Sequence, residues 1–367
     1  MSPFNFSDSE TKLYHHGRFT LAGGTLPDAI TAYRTYGDPK NPCIVFPTCF
    51  GAKLDSQEYL VGPGKALDPT KYYVVTFALF SNGESSSPSN TPSPYNGPYF
   101  PSVTYEDNIR AQFVVLSKAL NVTKIYCVVG FSMGGQQAYY WPVLYPNFVE
   151  RFIAICGSAR TSPHNYCFLE GPKAALTASK DFYNGHYTAK PQHGLRAFGR
   201  VYSAWAYGQT WFREKLYLQG GKNSDLNNWL HDRWETGFLS VWDANDLLTL
   251  LRTWQLGDVS RLDHASTSDL SLKRSVASMT PDALIPGTEG DLESVLGKIK
   301  ARGLIMPCKT DLYFPPEDSE NEVAAMTKAG VDAKLVINPS IWGHQGGGAA
   351  NEVDVQFLRG QILEFLQ

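Results

Sequence analysis

Short runs of apolar and β-branched residues recur along the chain, separated by longer stretches with helical spacing. Because these runs are almost continuously hydrophobic, they predict parallel strands that are buried on both faces. The predicted strands cover residues 43–46, 72–77, 125–130, 152–156, 303–307 and 334–337. The alternation of strands and helices predicts an α/β fold with a mostly parallel, doubly wound sheet.

Helices are predicted between and after these strands, over residues 104–120, 133–145, 316–328 and about 351–365. The first of them has a clear pattern, because its apolar residues recur at helical spacing along one face. Thr104 and Asp107 stand at the spacing of a capping box, which predicts where this helix begins.

The strand–helix alternation stops between residues 160 and 298, where helical patterns and loops occur without a strand-like rhythm. We therefore expect a helical cap over residues 160–298, inserted into a core made of residues 1–159 and 299–367. Six of the eight tryptophans lie in this predicted cap, at positions 205, 211, 229, 234, 242 and 254. They either form the hydrophobic core of the cap or line the roof of a pocket, and the two roles are compatible.

A second unusual stretch, residues 81–102, is rich in Ser, Pro, Asn and Gly. This composition is compatible with a disordered linker. Loops of this length inside a compact domain are usually functional, however. We therefore expect residues 81–102 to be ordered and to lie near the functional site.

Composition and charge narrow the class of partners. The chain has 367 residues, of which 43% are hydrophobic and 18% charged, and its formal net charge is −3. Because it has neither a basic block nor an apolar run of about 20 residues, we expect it to bind neither nucleic acid nor a membrane. The polar first residues lack the layout of a secretory signal, so the expected location is the cytoplasm.

The six cysteines are expected to be reduced. Cys43, Cys127, Cys156 and Cys308 lie in or beside the predicted strands, as buried core residues do. No CxxC or HxxxH spacing points to a metal, so we expect no metal site.

The segment Gly130-Phe131-Ser132-Met133-Gly134 fits the G-x-S-x-G nucleophile elbow. A predicted strand enters the segment and a predicted helix leaves it, which is the context that the motif requires. Glycines are needed because the serine adopts a strained conformation and flanking side chains would clash. The alternative is a phosphate-binding turn, but the lysine and the second glycine pair of such a turn are missing. Ser132 is therefore the predicted nucleophile.

A serine nucleophile needs a base, and the base needs a carboxylate to orient it. In this architecture the chain order is serine, acid, histidine. Of the eight histidines, only His344 follows the last predicted strand. Asp311 comes just after the predicted strand 303–307 and is the predicted acid. Its competitors Glu317 and Asp318 stand at the start of a predicted helix, where acidic residues stabilise the helix dipole.

The oxyanion of an acyl-transfer reaction needs two backbone N–H donors. One donor is expected from Met133, the residue after the nucleophile. The other is expected from the loop after the predicted strand 43–46, where Cys49 is favoured and Phe50 is the alternative. Phe50 is also a predicted substrate contact. A reactive thiol at Cys49 is not expected, because no cationic neighbour or helix start accompanies it.

Several segments, in order along the chain, resemble the homoserine O-acetyltransferase group of the α/β-hydrolase superfamily. These segments are LVGPGKALDPTKYYVV, FPSVTYEDNIRAQ, GFSMGGQQAYYWPVLYPNFVERFIAICGSAR, VWDANDLLTLLRTWQLGD, TDLYFPPEDS and WGHQGGG. The resemblance covers most of the chain and is more specific than the five-residue elbow alone. It implies an α/β-hydrolase fold with an inserted helical cap, a triad of Ser132, Asp311 and His344, and a homodimer formed through the cap.

The chain departs from that family at the positions that hold homoserine. Lys173 stands in the stretch where the family has a cap arginine that pairs with the substrate carboxylate. Gln345 replaces the aspartate that follows the catalytic histidine and receives the substrate amine, and Pro47 replaces a histidine of the oxyanion loop. Lys173 and Gln345 are therefore predicted substrate-binding positions, but homoserine is not the expected acceptor, because a lysine cannot form the planar fork of an arginine.

The leading hypothesis is a carboxylic ester hydrolase that acts on small-molecule esters through an acyl-Ser132 intermediate. The alternative is an O-acyltransferase that moves an acetyl group from acetyl-CoA to a hydroxylated small metabolite. Acetyl-CoA would then be a co-substrate, and neither hypothesis requires a further cofactor. A non-catalytic binding protein and a lyase that uses the same triad are the remaining hypotheses.

Overall fold

The computed structural model describes residues 10–264 and 290–367. The strands are β1 (Lys12–His15), β2 (Phe19–Leu21), β3 (Gly24–Leu26), β4 (Ile30–Tyr36), β5 (Cys43–Pro47), β6 (Tyr73–Phe77), β7 (Cys127–Phe131), β8 (Arg151–Ile155), β9 (Arg302–Met306) and β10 (Ala333–Leu335). An eight-stranded sheet has the order β1-β4-β6-β5-β7-β8-β9-β10, and β2 and β3 form a separate hairpin.

The strands from β6 to β10 in this order pair in parallel, whereas β4 pairs with β6, and β1 with β4, in the antiparallel arrangement. The prediction of a mostly parallel sheet is confirmed, and all six predicted strands are present with ends shifted by at most two residues. β1 and β4 were missed because they mix polar and apolar residues, as strands near a sheet edge do.

The helices are α1 (Tyr105–Val114), α2 (Met133–Leu144), α3 (Pro163–Thr177), α4 (Gln192–Ser203), α5 (Gln209–Arg213), α6 (Leu226–Trp229), α7 (Thr236–Val241), α8 (Ala244–Gln255), α9 (Leu292–Leu296), α10 (Pro316–Lys328) and α11 (Glu352–Phe365). Helices cover both faces of the sheet, as the alternating residues of β7 show. Val128 packs in the same hydrophobic cluster as Ile109 of α1, and Val129 packs in the cluster that contains Leu358 of α11. The doubly wound architecture is thereby confirmed.

The predicted start of α1 is confirmed. The Thr104 hydroxyl accepts a hydrogen bond from the Asp107 backbone N–H, and the Asp107 carboxylate accepts one from the Thr104 backbone N–H at 2.9 Å. The helix continues beyond Val114 as a π-helical turn, Val115–Ala119. The other three predicted helices correspond to α2, α10 and α11, with ends that agree to within one residue.

The chain leaves the sheet after β8 and returns to it at β9. Between these strands, the described residues form α3 to α9 and short helical turns, and they contain no strand. The predicted cap 160–298 includes residues 265–289, which lie outside the described part of the chain.

Residues 81–102 are held to the sheet by hydrogen bonds with β4 and with the residue that follows β6, as expected for an ordered loop. The Ser85 hydroxyl donates to the carbonyl oxygen of Ala78 at 2.8 Å and accepts from the backbone N–H of Ala32 at 2.9 Å. All six cysteines are free, and Cys43, Cys127, Cys156 and Cys308 are buried, as predicted. In the described ranges, no helix is both long and apolar enough to cross a bilayer.

Candidate active site

Ser132 lies on the sharp turn between β7 and α2. Its backbone has φ 58° and ψ −123°, a conformation that residues other than glycine rarely adopt. The flanking glycines are required by close backbone contacts, because a Cβ atom at Gly130 would lie 1.9 Å from the carbonyl oxygen of Gly134. A Cβ at Gly134 would lie 3.0 Å from the carbonyl oxygen of Pro47 in the loop after β5. The turn therefore presents the Ser132 hydroxyl at the carboxyl end of the sheet.

Ser132, His344 and Asp311 form a continuous chain of hydrogen bonds. The Ser132 hydroxyl donates to Nε2 of His344 at 2.9 Å, and Nδ1 of His344 donates to Oδ2 of Asp311 at 2.7 Å. All three side chains are buried, with residue exposures of 2% to 4%. Ser132 and His344 are thus in direct contact, although they are 212 positions apart in the sequence.

Asp311 lies in the turn after β9 and is oriented by the backbone. Its Oδ1 atom accepts hydrogen bonds from the N–H groups of Tyr313 at 2.8 Å and Phe314 at 3.1 Å. These bonds leave Oδ2 directed at the histidine. The competing acids Glu317 and Asp318 lie in the first turn of α10, as their interpretation as helix-dipole partners predicts.

The His344 ring is held by aromatic neighbours. It stacks on Phe131 with ring centroids 4.7 Å apart and meets Tyr313 edge-on at 4.8 Å. Gly343 precedes it with φ 61°, and a Cβ at this position would lie 2.6 Å from the backbone nitrogen of Gly208. The glycine therefore allows the histidine loop to approach the start of α5 closely.

Cys156 directly follows β8 and lies beside the side chains of Asp311 and His344. Its sulfur and the donor atoms of Asp311 and His344 all lie within 4.8 Å of one another. Burial, followed by the charge of Asp311, raises the pKa of the Cys156 thiol well above its ordinary value. The thiol is therefore neutral at physiological pH and contributes no charge to the site.

Ser132 opens into a cavity of about 300 Å³. The core contributes Cys49, Phe50, Gly51, Ala52, Ser56, Gln57, Tyr59, Phe131, Ser132, His344, Gln345 and Gly348 to its lining. The cap segment contributes Tyr202, Arg233, Trp234, Gly237, Phe238, Val241 and Trp242. The walls are mainly aromatic and aliphatic, as in sites for small organic ligands.

Of the two residues expected to supply oxyanion donors, Met133 directly follows Ser132 and Cys49 lines the same cavity as Ser132. Met133 is the first residue of α2, so its backbone N–H belongs to the positive end of that helix. Cys49 lies in the loop after β5 and lines the cavity. Burial raises the pKa of the Cys49 thiol to about 12, which opposes a thiolate at this position. This agrees with the expectation that Cys49 has no reactive thiol.

Of the three predicted substrate contacts, the structure brings two to the cavity. Phe50 lines it and stacks on Tyr202 at 5.3 Å between ring centroids, and Gln345 follows His344 in the lining. Lys173 does not line it, so its prediction as a substrate contact is not supported by its position. The Lys173 ammonium pairs at 2.9 Å with Glu170, one turn earlier on α3.

Residues 81–102 lie near the cavity, as expected, although none of them lines it: the Asn82 side-chain amide donates to the carbonyl oxygen of the lining residue Ala52 at 3.5 Å. The loop instead supports the wall from behind. The carbonyl oxygen of Asn82 accepts a hydrogen bond from the Lys53 ammonium, and the Asp246 carboxylate accepts one from the Ser89 hydroxyl at 2.6 Å.

Sequence reasoning missed most of the cap residues that line the cavity. Trp234, Phe238 and Trp242 repeat every four residues, and so do Arg233, Gly237 and Val241. These two adjacent rows of residues lie on one face of a helical segment, so their spacing was a signal for a shared surface.

The six tryptophans of the predicted cap have different roles. The rings of Trp211 and Trp229 pack against each other with centroids 5.3 Å apart, whereas Trp234 and Trp242 line the cavity.

Known proteins share the sequence pattern and the fold of this chain. The family described as having the alpha/beta hydrolase fold matches residues 42–263. The chain belongs to the α/β-hydrolase family. It is similar to an ethyl acetate hydrolase of Pseudomonas veronii, with 31% identity over 84% of this chain and 85% of that protein. A homoserine O-acetyltransferase of Methanosalsum zhilinae is 29% identical over 91% of this chain and 69% of the relative.

Among solved structures, the acetyl esterase MekB superposes with a TM-score of 0.86 and 29% identity, covering 97% of this chain and 96% of the other. The predicted resemblance to homoserine O-acetyltransferases within the α/β hydrolases is confirmed, and its relatives include esterases as well. The protein is an enzyme of the serine hydrolase kind.

Proposed function

We propose that this enzyme hydrolyses short-chain carboxylic esters through an acyl-Ser132 intermediate. The observation that carries the proposal is the hydrogen-bond chain from Ser132 through His344 to Asp311, which opens into a small, mainly apolar cavity. A volume of about 300 Å³ suits an ester of few carbon atoms. Similarity to an ethyl acetate hydrolase and to an acetyl esterase supports the same class of substrate.

In the first half of the reaction, the Ser132 oxygen attacks the ester carbonyl while Nε2 of His344 takes its proton. Asp311 keeps the ring in the tautomer that can accept this proton and stabilises the imidazolium that forms. The negative oxygen of the tetrahedral intermediate is directed to the backbone N–H groups of Cys49 and Met133. His344 then gives the proton to the departing alcohol, which leaves the acyl group on Ser132.

In the second half, a water molecule gives its proton to His344 and attacks the acyl carbonyl. Collapse of the second tetrahedral intermediate releases the carboxylic acid and returns the proton to Ser132. Each step uses only side chains and backbone groups of this chain, so we propose no bound cofactor and no metal in the mechanism.

The cavity supports hydrolysis over transfer to an amino-acid acceptor. No Asp or Glu is present among the described residues that line it, so an ammonium group would have no carboxylate partner there. Gln345 is neutral, and Lys173 is held by Glu170 away from the lining. The second candidate function is O-acyl transfer from acetyl-CoA to an uncharged alcohol, which the similarity to homoserine O-acetyltransferases favours.

The two functions are tested with one purified protein. We expect a burst and turnover with p-nitrophenyl acetate, and mass spectrometry should find an acetyl group on Ser132. A serine-directed phosphonate should label the same residue. Absence of turnover and of a phosphonate adduct would refute the proposed function. Acetyl-CoA should acetylate Ser132 only poorly, and efficient transfer to an added alcohol that outruns hydrolysis would establish the acyltransferase instead.

We further propose a cytoplasmic location and a homodimer that forms through the cap. The free cysteines support the first proposal, since cytosolic proteins keep their thiols reduced. Resemblance to homoserine O-acetyltransferases supports the second. Fractionation of cells and light scattering of the purified protein test them directly.

A further inference from the structure

Arg233 contributes a positively charged side chain to the lining of the cavity. Among the described residues of the lining, it is the only Lys, Arg, Asp or Glu. It lies on the π-helical turn Leu230–Glu235, next to Trp234, and it lines the cavity while remaining exposed to solvent. A cationic group at the mouth of an apolar cavity gives that cavity an electrostatic preference for negative charge.

The guanidinium of Arg233 is held in position by aromatic neighbours. Its central carbon lies 5.3 Å from the centre of the Trp234 ring, a cation–π distance. The Arg233 side chain also forms a hydrogen bond with the Tyr207 phenol. Burial raises the pKa of Tyr207, whereas this hydrogen bond and the positive charge of Arg233 lower it. A guanidinium has five N–H donors in a planar fork, so contact with one phenol leaves further donors for a ligand.

The acidic residues beside Arg233 have other partners. Asp232 accepts hydrogen bonds from His231 at 2.7 Å and from Asn228 at 2.9 Å. Glu235 accepts hydrogen bonds from Arg196 and Arg200. Within residues 10–264 and 290–367, no carboxylate forms an ion pair with Arg233. Its charge is therefore not neutralised by the cap helix that carries it.

We propose that Arg233 recognises a carboxylate on the substrate, so that the preferred substrates are small esters that carry a carboxylate several bonds away from the scissile carbonyl. This inference rests on the proposed ester hydrolysis and names its substrate class. A planar fork matches a carboxylate in a bidentate arrangement. Arg233 and Ser132 line the same cavity, and its mainly aromatic and aliphatic lining suits the uncharged carbon chain of such an ester. Hydrolysis consumes only water, and the distal carboxylate passes through the reaction unchanged.

Two pairs of esters test the proposal and locate the carboxylate. In the first pair, the charge is on the acyl side, as in monoethyl glutarate against ethyl pentanoate. In the second pair it is on the alcohol side, as in 3-acetoxypropanoate against propyl acetate. The quantity measured is the ratio of kcat/KM for the charged ester to that for the neutral ester. We expect this ratio to fall about tenfold or more in Arg233→Met for at least one pair, and to fall less in Arg233→Lys.

Two controls accompany these variants. Arg213→Met removes another exposed cap arginine, one that donates to Gln209 on its own helix and does not line the cavity, and its ratio should equal that of the wild type. Added NaCl should lower the ratio for the wild type and leave the ratio for Arg233→Met constant.

The proposal is overturned if the ratio is the same in the wild type and in Arg233→Met for both pairs of esters. This holds even if Arg233→Met folds and hydrolyses the neutral esters. Failure of the wild type to hydrolyse any of the four esters, without a phosphonate adduct on Ser132, would instead refute the proposed function.

Discussion

The ammonium of Lys53 lies 4.2 Å from the centre of the Trp242 ring, a cation–π contact that joins the core to the cap. Lys53 follows the loop that carries Cys49, and Trp242 is part of the cavity wall. The pKa of Lys53 is lowered, because the effect of burial is larger than the opposing effect of the nearby charges of Glu84 and Asp246. This half-buried cation thus holds the cap wall against the loop that is proposed to supply an oxyanion donor.

Replacing Lys53 with Met tests this contact. The substitution keeps an apolar chain of similar length but removes the charge, and with it an attraction of about 1–2 kcal/mol to Trp242. We expect KM for short esters to rise by roughly threefold to tenfold, with a smaller change in kcat. Lys12→Met, at an exposed lysine of β1 that donates to Thr35, is the matched control. Unchanged KM in Lys53→Met would show that the contact does not position the wall.

Gly130→Ala tests the backbone geometry of the elbow. The added Cβ would lie 1.9 Å from the carbonyl oxygen of Gly134, so the turn has to open. We expect a loss of about 3 kcal/mol or more in the free energy of unfolding, together with a large loss of ester hydrolysis. Gly360→Ala in α11 is the control, because nothing lies within 4 Å of its Cβ position and alanine favours a helix by about 1 kcal/mol. Urea unfolding that ranks the two variants in the opposite order would contradict this explanation.

Asp311→Asn tests the acid of the proposed triad. The amide has the shape of the carboxylate, but it carries no charge to stabilise the imidazolium and it can hold the His344 ring in the wrong tautomer. We expect kcat for p-nitrophenyl acetate to fall about 10³- to 10⁴-fold with little change in stability. Asp318→Asn, at the competing position in α10, should retain activity. A larger loss of activity in Asp318→Asn than in Asp311→Asn would reverse the assignment.

Glu322 makes stability depend on pH. This residue of α10 is buried, its carboxyl accepts a hydrogen bond from the backbone N–H of Ala159 at 2.6 Å, and burial raises its pKa from 4.5 to about 8. Between these two pH values the folded state keeps a proton that the unfolded state has released, so stability falls as pH rises through this window. Below pH 4.5 both states are protonated at this site and it contributes nothing to the dependence.

Glu322→Gln, which mimics the protonated carboxyl, should therefore flatten the dependence of the unfolding free energy on pH from about 5 to 8. At pH 8 we expect the variant to be more stable than the wild type by about 2 kcal/mol. Urea titrations at several pH values measure the difference. The exposed Glu320 on the same helix provides the control, since Glu320→Gln should leave the pH curve unchanged. Parallel curves for wild type and Glu322→Gln would contradict the role of burial.

Much of the core was predictable because its signals are local. A strand that is buried on both faces has to be continuously apolar, so β5 to β10 were visible in the sequence, whereas β1 and β4 were hidden by their mixed composition. The hydrogen-bonded box of Thr104 and Asp107 depends on residues that are three positions apart. The candidate nucleophile could be found for the same reason, because a turn as tight as that at Ser132 needs glycine at 130 and 134.

The residues that line the cavity were much harder to predict. Lys173 has the right type of side chain for binding an anion, but Glu170 lies one turn away on the same helix and pairs with it. Residues 81–102 lie near the cavity, as their composition and length predicted, but the sequence did not show that they hold Lys53 and Asp246 and do not line the cavity themselves. Arg233 was not singled out, because its importance depends on which face of a cap helix turns toward Ser132.

The sequence by itself determined the parallel sheet, the elbow at Ser132 and the order of serine, acid and histidine along the chain. These features depend on hydrophobic periodicity, on the steric needs of one tight turn and on the positions at which strands end. Only the tertiary structure decided that Arg233, Trp242 and Gln345 share one cavity while Lys173 is excluded from it. The physical reason is that aromatic contacts between residues far apart in the sequence, such as Phe50 and Tyr202, join the segment between β8 and β9 to the core, and such packing sets the direction of each helix face without leaving a local pattern in the sequence.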